Sequence, residues 1–269
     1  MSIPEPAWYA PSSLDEALRL KAQLAEEGTV LAGGSFLGIL MNQGLLAPTA
    51  LLSLRGVPGL DGIDARDGEL RLGALVTHRA VELSPLVRDG WPALSQAFSL
   101  VASPRVRNQA TVGGVLADAD YASDPPAMLT ALSARVVARS ARGAREIALE
   151  DLIVGHYTTS LEPDELIVEV RVPGGAHRAT YRKFRSRSHE DRPCVGVAAC
   201  LRPDELRVVV GAVADRPQWF PDLCDGDASD VARAYAAAIE PLDDLRGSAD
   251  YRRRVIAVEV RRALEEIGA

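Results

Sequence analysis

Two short double-glycine stretches hold the chemistry that is easiest to see in this sequence of 269 residues. They are Leu31-Ala32-Gly33-Gly34-Ser35 and Thr111-Val112-Gly113-Gly114. Glycine admits positive φ and lets a ligand approach the backbone closely. Consecutive N–H groups at a turn or a helix N-terminus form a pocket for an anion such as a phosphate. Two such turns suit the two phosphates of a dinucleotide. A double glycine alone more often marks an ordinary turn, so the neighbouring residues have to decide.

Several of those neighbours have two readings. Arg105 and Arg107 sit just upstream of the second turn and either meet phosphates or lie solvated. Asp124, followed by Pro125-Pro126, either caps a helix or binds ligand hydroxyls. Cys194, Cys200 and Cys224 have no Cys-x-x-Cys spacing and read as small buried hydrophobes. They support neither a disulfide framework nor an iron–sulfur or zinc site. His78, His156, His177 and His189 are far apart in the chain. They show no ligand spacing, so no metal site is expected. No residue stands out as a nucleophile or general base, and no catalytic residue is named.

The bulk properties narrow the class. Hydrophobic residues make up 47% and charged residues 25%, which suits a globular core of ordinary composition. A net charge of -7 argues against a general nucleic-acid binder. No apolar run reaches the ~18 residues of a membrane span. The start, Met1-Ser2-Ile3-Pro4-Glu5-Pro6, lacks a secretory pattern, so a cytoplasmic location is expected.

The elements that must position the glycines follow from spacing. Ser13-Leu14-Asp15-Glu16 is a capping box. Leu14, Ala17, Leu18 and Ala25 then recur at helical spacing, with Gly28 as the C-cap. A strand over 29–32 leads into the first double glycine and a short helix, and 50–54 reads as another strand. Residues 60–63 and 69–76 form a hairpin around Arg66-Asp67-Gly68. Thr77 caps a helix to Leu83, Pro92 opens one to about Val101, and Asp124 starts one to about Ala131. Residues 134–139 read as a strand. From Leu166 strand-like runs follow at 166–172, 179–185, 194–201 and 206–213, which predicts an antiparallel sheet. Helices over 228–239 and from about Ser248 close the chain. The basic run Arg252-Arg253-Arg254 is a solvated helix face or a partner surface. A boundary near Pro173-Gly174-Gly175 separates an α/β part from a sheet-plus-helices part.

Further motifs join the glycine turns in a fixed order. They are Leu72-Gly73-Ala74-Leu75-Val76-Thr77-His78, Ser103-Pro104-Arg105-Val106-Arg107-Asn108, Ser123-Asp124, Leu161-Glu162-Pro163-Asp164-Glu165-Leu166-Ile167, Tyr181-Arg182-Lys183-Phe184, and Gly247-Ser248-Ala249-Asp250-Tyr251-Arg252. With this ordered set, the chain resembles the FAD-binding medium subunit of the molybdenum hydroxylases, the xanthine dehydrogenase and carbon monoxide dehydrogenase family. The resemblance runs from about Trp8 to Leu264.

The resemblance implies an α+β (mixed α/β) fold. A two-part FAD-binding domain of PCMH type would cover 1–173, with subdomains of about 1–56 and 57–173. A C-terminal domain over 174–269 would hold a three-stranded antiparallel sheet with helices. It also implies that Ala32, Gly33, Gly34, Ser35 and Phe36, with Thr111, Val112, Gly113, Gly114 and Val115, bind the FAD pyrophosphate mainly through backbone N–H groups. Asp124 would then bond the ribityl or nearby hydroxyls, and Val101, Leu161 and Lys183 would line the flavin. Molybdopterin and [2Fe-2S] clusters are expected on a large and a small partner subunit, in a dimer of heterotrimers. The implied task is to take electrons from the clusters and pass them to an external acceptor. The alternatives are a flavin-free scaffold of the same complex and a self-contained FAD oxidoreductase. The chain departs from the family pattern at four places. Val115 stands where Asn or Asp is usual, Phe36 where Ser, Asp or Leu is usual, Tyr121 where Pro is common, and Arg192 where an aromatic is usual.

Overall fold

The computed structural model describes residues 5–175, 177–188 and 190–269. His189 and the first four residues, on which two of the expectations above fall, lie outside the described residues. The chain starts with β1 (Ala7–Tyr9), α1 (Leu14–Leu24), β2 (Gly28–Leu31), α2 (Leu37–Asn42) and β3 (Ala50–Ser53). The three strands form a parallel sheet in the order β1-β3-β2. Ser13 caps α1 as expected, its hydroxyl accepting from the Glu16 N–H at 3.2 Å. The Glu16 carboxylate closes the box on Ser12 rather than Ser13, taking the Ser12 N–H at 2.8 Å. Gly28 is not the C-cap. Helix α1 stops at Leu24, Ala25 turns the chain with φ 46°, and Gly28 opens β2. Its glycine answers a steric demand, since a Cβ there would lie 2.6 Å from the Leu24 Cβ.

Next come β4 (Ile63–Arg66), β5 (Glu69–Gly73), α3 (His78–Leu83), α4 (Pro85–Gly90), α5 (Pro92–Ser99), α6 (Pro104–Arg107), α7 (Val112–Asp118) and α8 (Asp124–Ala131). They are followed by β6 (Arg135–Ser140), β7 (Gly143–Ala148), α9 (Leu149–Leu152), β8 (Ile153–Gly155), β9 (Thr158–Thr159) and β10 (Leu166–Pro173). Asp67 and Gly68 both take positive φ, 55° and 78°, so β4 and β5 meet in the two-residue turn that matches strand twist. Strand β10 is not part of the later sheet, as its position in sequence suggested. It lies between β5 and β6 in an antiparallel five-stranded sheet of order β4-β5-β10-β6-β7. It pairs with strands that precede it, a long-range partnership that spacing along the chain does not encode.

The last part holds β11 (Arg178–Phe184), β12 (Val195–Leu201), β13 (Leu206–Gly211), β14 (Gln218–Trp219), α10 (Ala228–Ala238) and α11 (Ala249–Ile267). The strands form an antiparallel sheet in that order, so two-residue β14 extends the expected three strands by one. Strand β12 explains its continuous apolar run by being covered on both faces. Val195, Val197 and Ala199 pack with α10 and α11, while Ala198 and Cys200 join the cluster that includes α8. Helix α8 is consequently buried at all eight positions. The α8 cluster also takes in Leu72, Val136 and Val170 of the five-stranded sheet, so one core crosses the Pro173-Gly174-Gly175 turn.

The basic run on α11 is not uniformly solvated. Arg252 is fully buried, donating to the Cys194 carbonyl at 2.9 Å, to the Ala212 carbonyl, and to Asp244 at 2.5 Å. Arg254 is exposed and Arg253 half-buried beside Asp250. Among the described residues no helix is long and apolar enough to cross a membrane. Arg252→Ala would take a buried donor from the Cys194 and Ala212 carbonyls and one of its cations from Asp244, and should destabilise the fold by roughly 2–4 kcal/mol. Arg253→Ala should stay within about 0.5 kcal/mol. Denaturant unfolding of the two variants checks the contrast, and equal losses would contradict it.

Candidate functional site

A cavity of about 740 Å³ opens where the three-stranded sheet, the turn after α5, the helices α6–α8 and β11 approach one another. That volume lies within the ~300–1,000 Å³ of ligand and cofactor sites. Both glycine stretches line it, as do Val101, Asp124, Leu161 and Lys183. Of the residues that the resemblance assigned to FAD, Val112 alone does not. Its side chain is buried in the core and its N–H donates to the Val76 carbonyl at 2.9 Å.

The two stretches touch each other through backbone. A Cβ on Gly33 would sit 1.9 Å from the Gln109 carbonyl oxygen and 2.7 Å from its carbon, so only glycine fits. Gly34 takes φ 73° and turns the chain into α2. On the other side, a Cβ on Gly113 would meet the Ala74 Cβ at 2.7 Å. The two turns differ in their hydrogen bonding. Among the described residues, no acceptor takes an N–H from residues 33–36. In the second stretch the N–H groups are satisfied internally. Gly113 donates to Ala74 O at 2.8 Å, Gly114 to the Thr111 hydroxyl at 3.1 Å, and Val115 to Thr111 O at 3.0 Å. The expectation of two equivalent N–H cradles therefore changes: the first turn offers free donors, and the second offers a surface without side chains.

Asp124 is neither the helix cap nor free. It is the first residue of α8, with Ser123 at the cap position. Its Oδ1 accepts from the Tyr181 hydroxyl at 2.8 Å, and its Oδ2 pairs with Lys183 Nζ at 2.8 Å. Lys183 also donates to the Leu100 carbonyl at 2.8 Å. Both charged side chains are buried. Burial raises the Asp124 carboxyl and lowers the Lys183 ammonium, and their mutual contact opposes both shifts. Burial also holds the Tyr181 hydroxyl protonated, far above its ordinary range. Strand β11 supplies Tyr181 and Lys183 two residues apart, hence on one face. Gly196 on the neighbouring strand makes room, since a Cβ there would lie 2.5 Å from the Tyr181 hydroxyl.

Arg107 and Arg105 part ways. Arg107 is buried, bonds Glu82 at 2.8 Å, and donates to the Val101 and Ala102 carbonyls at 2.8 and 2.9 Å. It thus shapes the wall around Val101 and, paired with Glu82, is neither solvated nor turned towards the cavity as a phosphate ligand, while Arg105 is exposed. His78, unassigned in the sequence reading, is buried between the two motifs. Its N–H donates to Ala110 O at 2.8 Å and its Nε2 lies 3.2 Å from Thr111 O. Burial lowers its pKa to about 4, so the ring is neutral and donates from Nε2. The clue in the sequence was its place directly after the Thr77 cap. Asp118 also lines the cavity, its carboxyl raised to about 7 by burial and by neighbouring Asp120. Tyr121 donates to Asp244 at 3.0 Å and packs edge-on against His156. Among the described residues no group of His, Cys, Asp and Glu is arranged to hold a metal ion.

Residues 4–175 match the family described as "FAD binding domain in molybdopterin dehydrogenase". The chain is 37% identical to the 6-hydroxypseudooxynicotine dehydrogenase complex subunit alpha of Paenarthrobacter nicotinovorans, over 98% of this chain and 95% of that protein. It is similar to a chain of carbon monoxide dehydrogenase from Hydrogenophaga pseudoflava, at TM-score 0.93 and 31% identity, covering 100% of this chain and 99% of the other. It is also similar to a chain of quinoline 2-oxidoreductase from Pseudomonas putida 86, at TM-score 0.91 and 30% identity, covering 99% and 98%. A mixed α/β chain that carries an FAD-binding domain and matches these relatives end to end belongs to the FAD-binding medium subunits of the molybdenum hydroxylase family.

Proposed function

We propose that this chain is the electron-transfer subunit of a molybdenum-containing dehydrogenase. It takes electrons from iron–sulfur clusters on a small partner subunit and passes them to an external acceptor. The substrate would be oxidised on a large molybdopterin-binding subunit, and the complex would be a cytoplasmic dimer of heterotrimers. Residues 1–173 would form the FAD-binding part and 174–269 the C-terminal domain. The observation that carries the reading is the strip of free N–H groups at residues 33–36 on the wall of a dinucleotide-sized cavity.

The residues present fit FAD. A Cβ would close the Gly33 contact, and unpartnered backbone donors suit a pyrophosphate. Residues Ala32 to Phe36 would hold that group, facing Thr111, Gly113, Gly114 and Val115 across the cavity. Asp124 and Lys183 would take the sugar-alcohol hydroxyls, and Val101 and Leu161 would supply apolar contact. When bound, FAD supplies the electron acceptance and release. The chain's own residues orient it, keep water out and fix the charges around it. Tyr181 keeps the Asp124 carboxylate aimed, and His78 pins the second glycine stretch through Ala110 and Thr111.

Purified chain should show flavin absorption and release about one FAD per chain on denaturation. A colourless chain that takes up no added FAD, alone or with its partner subunits, would overturn the reading. Gly33→Ala should abolish FAD retention by separating the glycine stretches. Gly38→Ala, where no atom lies within 4 Å, should leave retention intact. Equal retention by the two variants would contradict the close-packing argument.

His78 sets a pH dependence. An ordinary histidine takes its proton near 6.5, whereas folded His78 takes it near 4. The unfolded chain therefore binds that proton first, and stability falls as pH drops from 6.5 to 4. The contribution of His78 to this fall is roughly 3 kcal/mol. His78→Gln, which keeps a donor at the Nε2 position, should show a shallower fall. Parallel curves of stability against pH for the two proteins would refute the assignment.

A further inference from the structure

Segments far apart in sequence meet at the rim of the cavity. Phe36 follows the first glycine stretch, Asp120 lies between α7 and α8, and Arg192 lies between β11 and β12. All three line the cavity. The Arg192 guanidinium is 2.7 Å from Asp120 Oδ2, and its carbon is 5.8 Å from the centroid of the Phe36 ring. Phe36 stacks on Tyr157, with centroids 5.9 Å apart and planes 11° from parallel. The Tyr157 N–H in turn donates to the Ala119 carbonyl at 3.1 Å, so both supports of Phe36 are rooted in one turn. Asp120 is a fixed anchor: it is buried, and its Oδ1 accepts the Ala122 N–H at 3.1 Å.

These contacts matter because the first glycine stretch is otherwise lightly held. Helix α2 has no buried residue. Among the described residues, no ion pair or side-chain hydrogen bond reaches 32–42. Backbone packing at Gly33 fixes the start of the segment, and the Phe36 ring tethers it three residues further on, just before α2. Phe36 and Arg192 are also two of the four departures from the family pattern, and the structure places them in contact.

We propose that Arg192 is a positioning residue for the dinucleotide: by tying Phe36 to Asp120, it holds the strip of free N–H groups over the cavity and slows release of the bound cofactor. This rests on the FAD reading above. The guanidinium side is 39% exposed, so the ion pair sits at the rim and is open to screening by salt. A half-exposed ion pair and a cation over a ring together correspond to roughly a tenfold change in a rate or equilibrium.

The test is the rate of FAD release from the full-length chain loaded with FAD, followed by the return of flavin fluorescence. Arg192→Met should release FAD roughly tenfold faster, and Arg192→Lys should fall between it and the natural protein. Asp120→Asn keeps the acceptor for Ala122 but removes the ion pair, and should speed release as well. The double variant Arg192→Met with Asp120→Asn should be no faster than Arg192→Met alone. Raising salt should speed release from the natural protein more than from Asp120→Asn. Melting of flavin-free Arg192→Lys, which keeps a cation beside Asp120, should be unchanged while its release is faster, which separates a tether from a merely structural contact. Release from Arg192→Met at the natural rate, or two effects that simply multiply, would overturn the clasp alone. A natural chain that takes up no FAD would overturn the cofactor reading and the clasp with it.

Discussion

The contact between Gly33 and the Gln109 carbonyl is the constraint on which the site depends. Two backbones that lie almost eighty residues apart approach until a single Cβ, 1.9 Å from that oxygen, would force them apart. This close approach brings the first sheet's turn onto the loop that leads into α7. The cavity is the space left between them. Gly113 repeats the device one layer further in, against Ala74 at the end of β5. His78, leaving the same β5 edge, then holds Ala110 and Thr111 by two hydrogen bonds. The glycines thus serve packing as much as turning, and positive φ is required only at Gly34 of these three.

A second constraint joins the site to the C-terminal sheet. Asp124 begins a helix buried at every position, and the partners of its carboxylate, Tyr181 and Lys183, both come from β11. A buried ion pair of this kind gains little net stability, because desolvation offsets the attraction. Removing either partner, however, would strand a charge in the core. The pair therefore specifies geometry more than it stabilises: α8 and β11 have one relative position in which Tyr181, Lys183 and the Leu100 carbonyl are all satisfied. Gly196 belongs to this arrangement, since a side chain there would displace the Tyr181 hydroxyl.

Local elements were largely legible in the sequence because their signals are local. The Ser13 and Thr77 caps, the start of the last helix near Ser248, the Asp67-Gly68 turn and the strand at 29–32 leading into the glycine turn all appear in the fold, the strand shifted by one residue. What failed was what depends on distant partners. Strand β10 has the apolar character of its sequence neighbours, yet it pairs with β5 and β6. Arg252 and Arg107 look like surface arginines until carbonyls and carboxylates from other elements surround them. Asp124 has the spacing of a cap, but its carboxylate turns to residues some sixty positions onward. At the site, residue types and spacing located both glycine stretches, whereas the assignment of free and satisfied N–H groups required the paths of Val76 and Ala74 alongside the second one. Neither hydropathy nor motif spacing carries that information.

The charge arrangement points to how an anion would be held here. The cationic side chains around the cavity are already engaged: Lys183 by Asp124, Arg192 by Asp120, Arg246 by Asp244, and Lys21 by the Ala25 carbonyl. Carboxyl groups, including Asp118 at a pKa of about 7, line the same space. A diphosphate would then rely on the backbone donors of 33–36 rather than on a free ammonium or guanidinium. Backbone dipoles act over short range and only in their own direction. A site built from them favours one placement of the phosphates over mere accumulation of anions. Under the electron-transfer role proposed above, fixed placement would be the more useful property, because the position of a bound redox group sets what it can exchange with. The lightly packed segment carrying those donors is the weak point of this design, which gives physical sense to an aromatic ring at Phe36 and a cation against it in this chain.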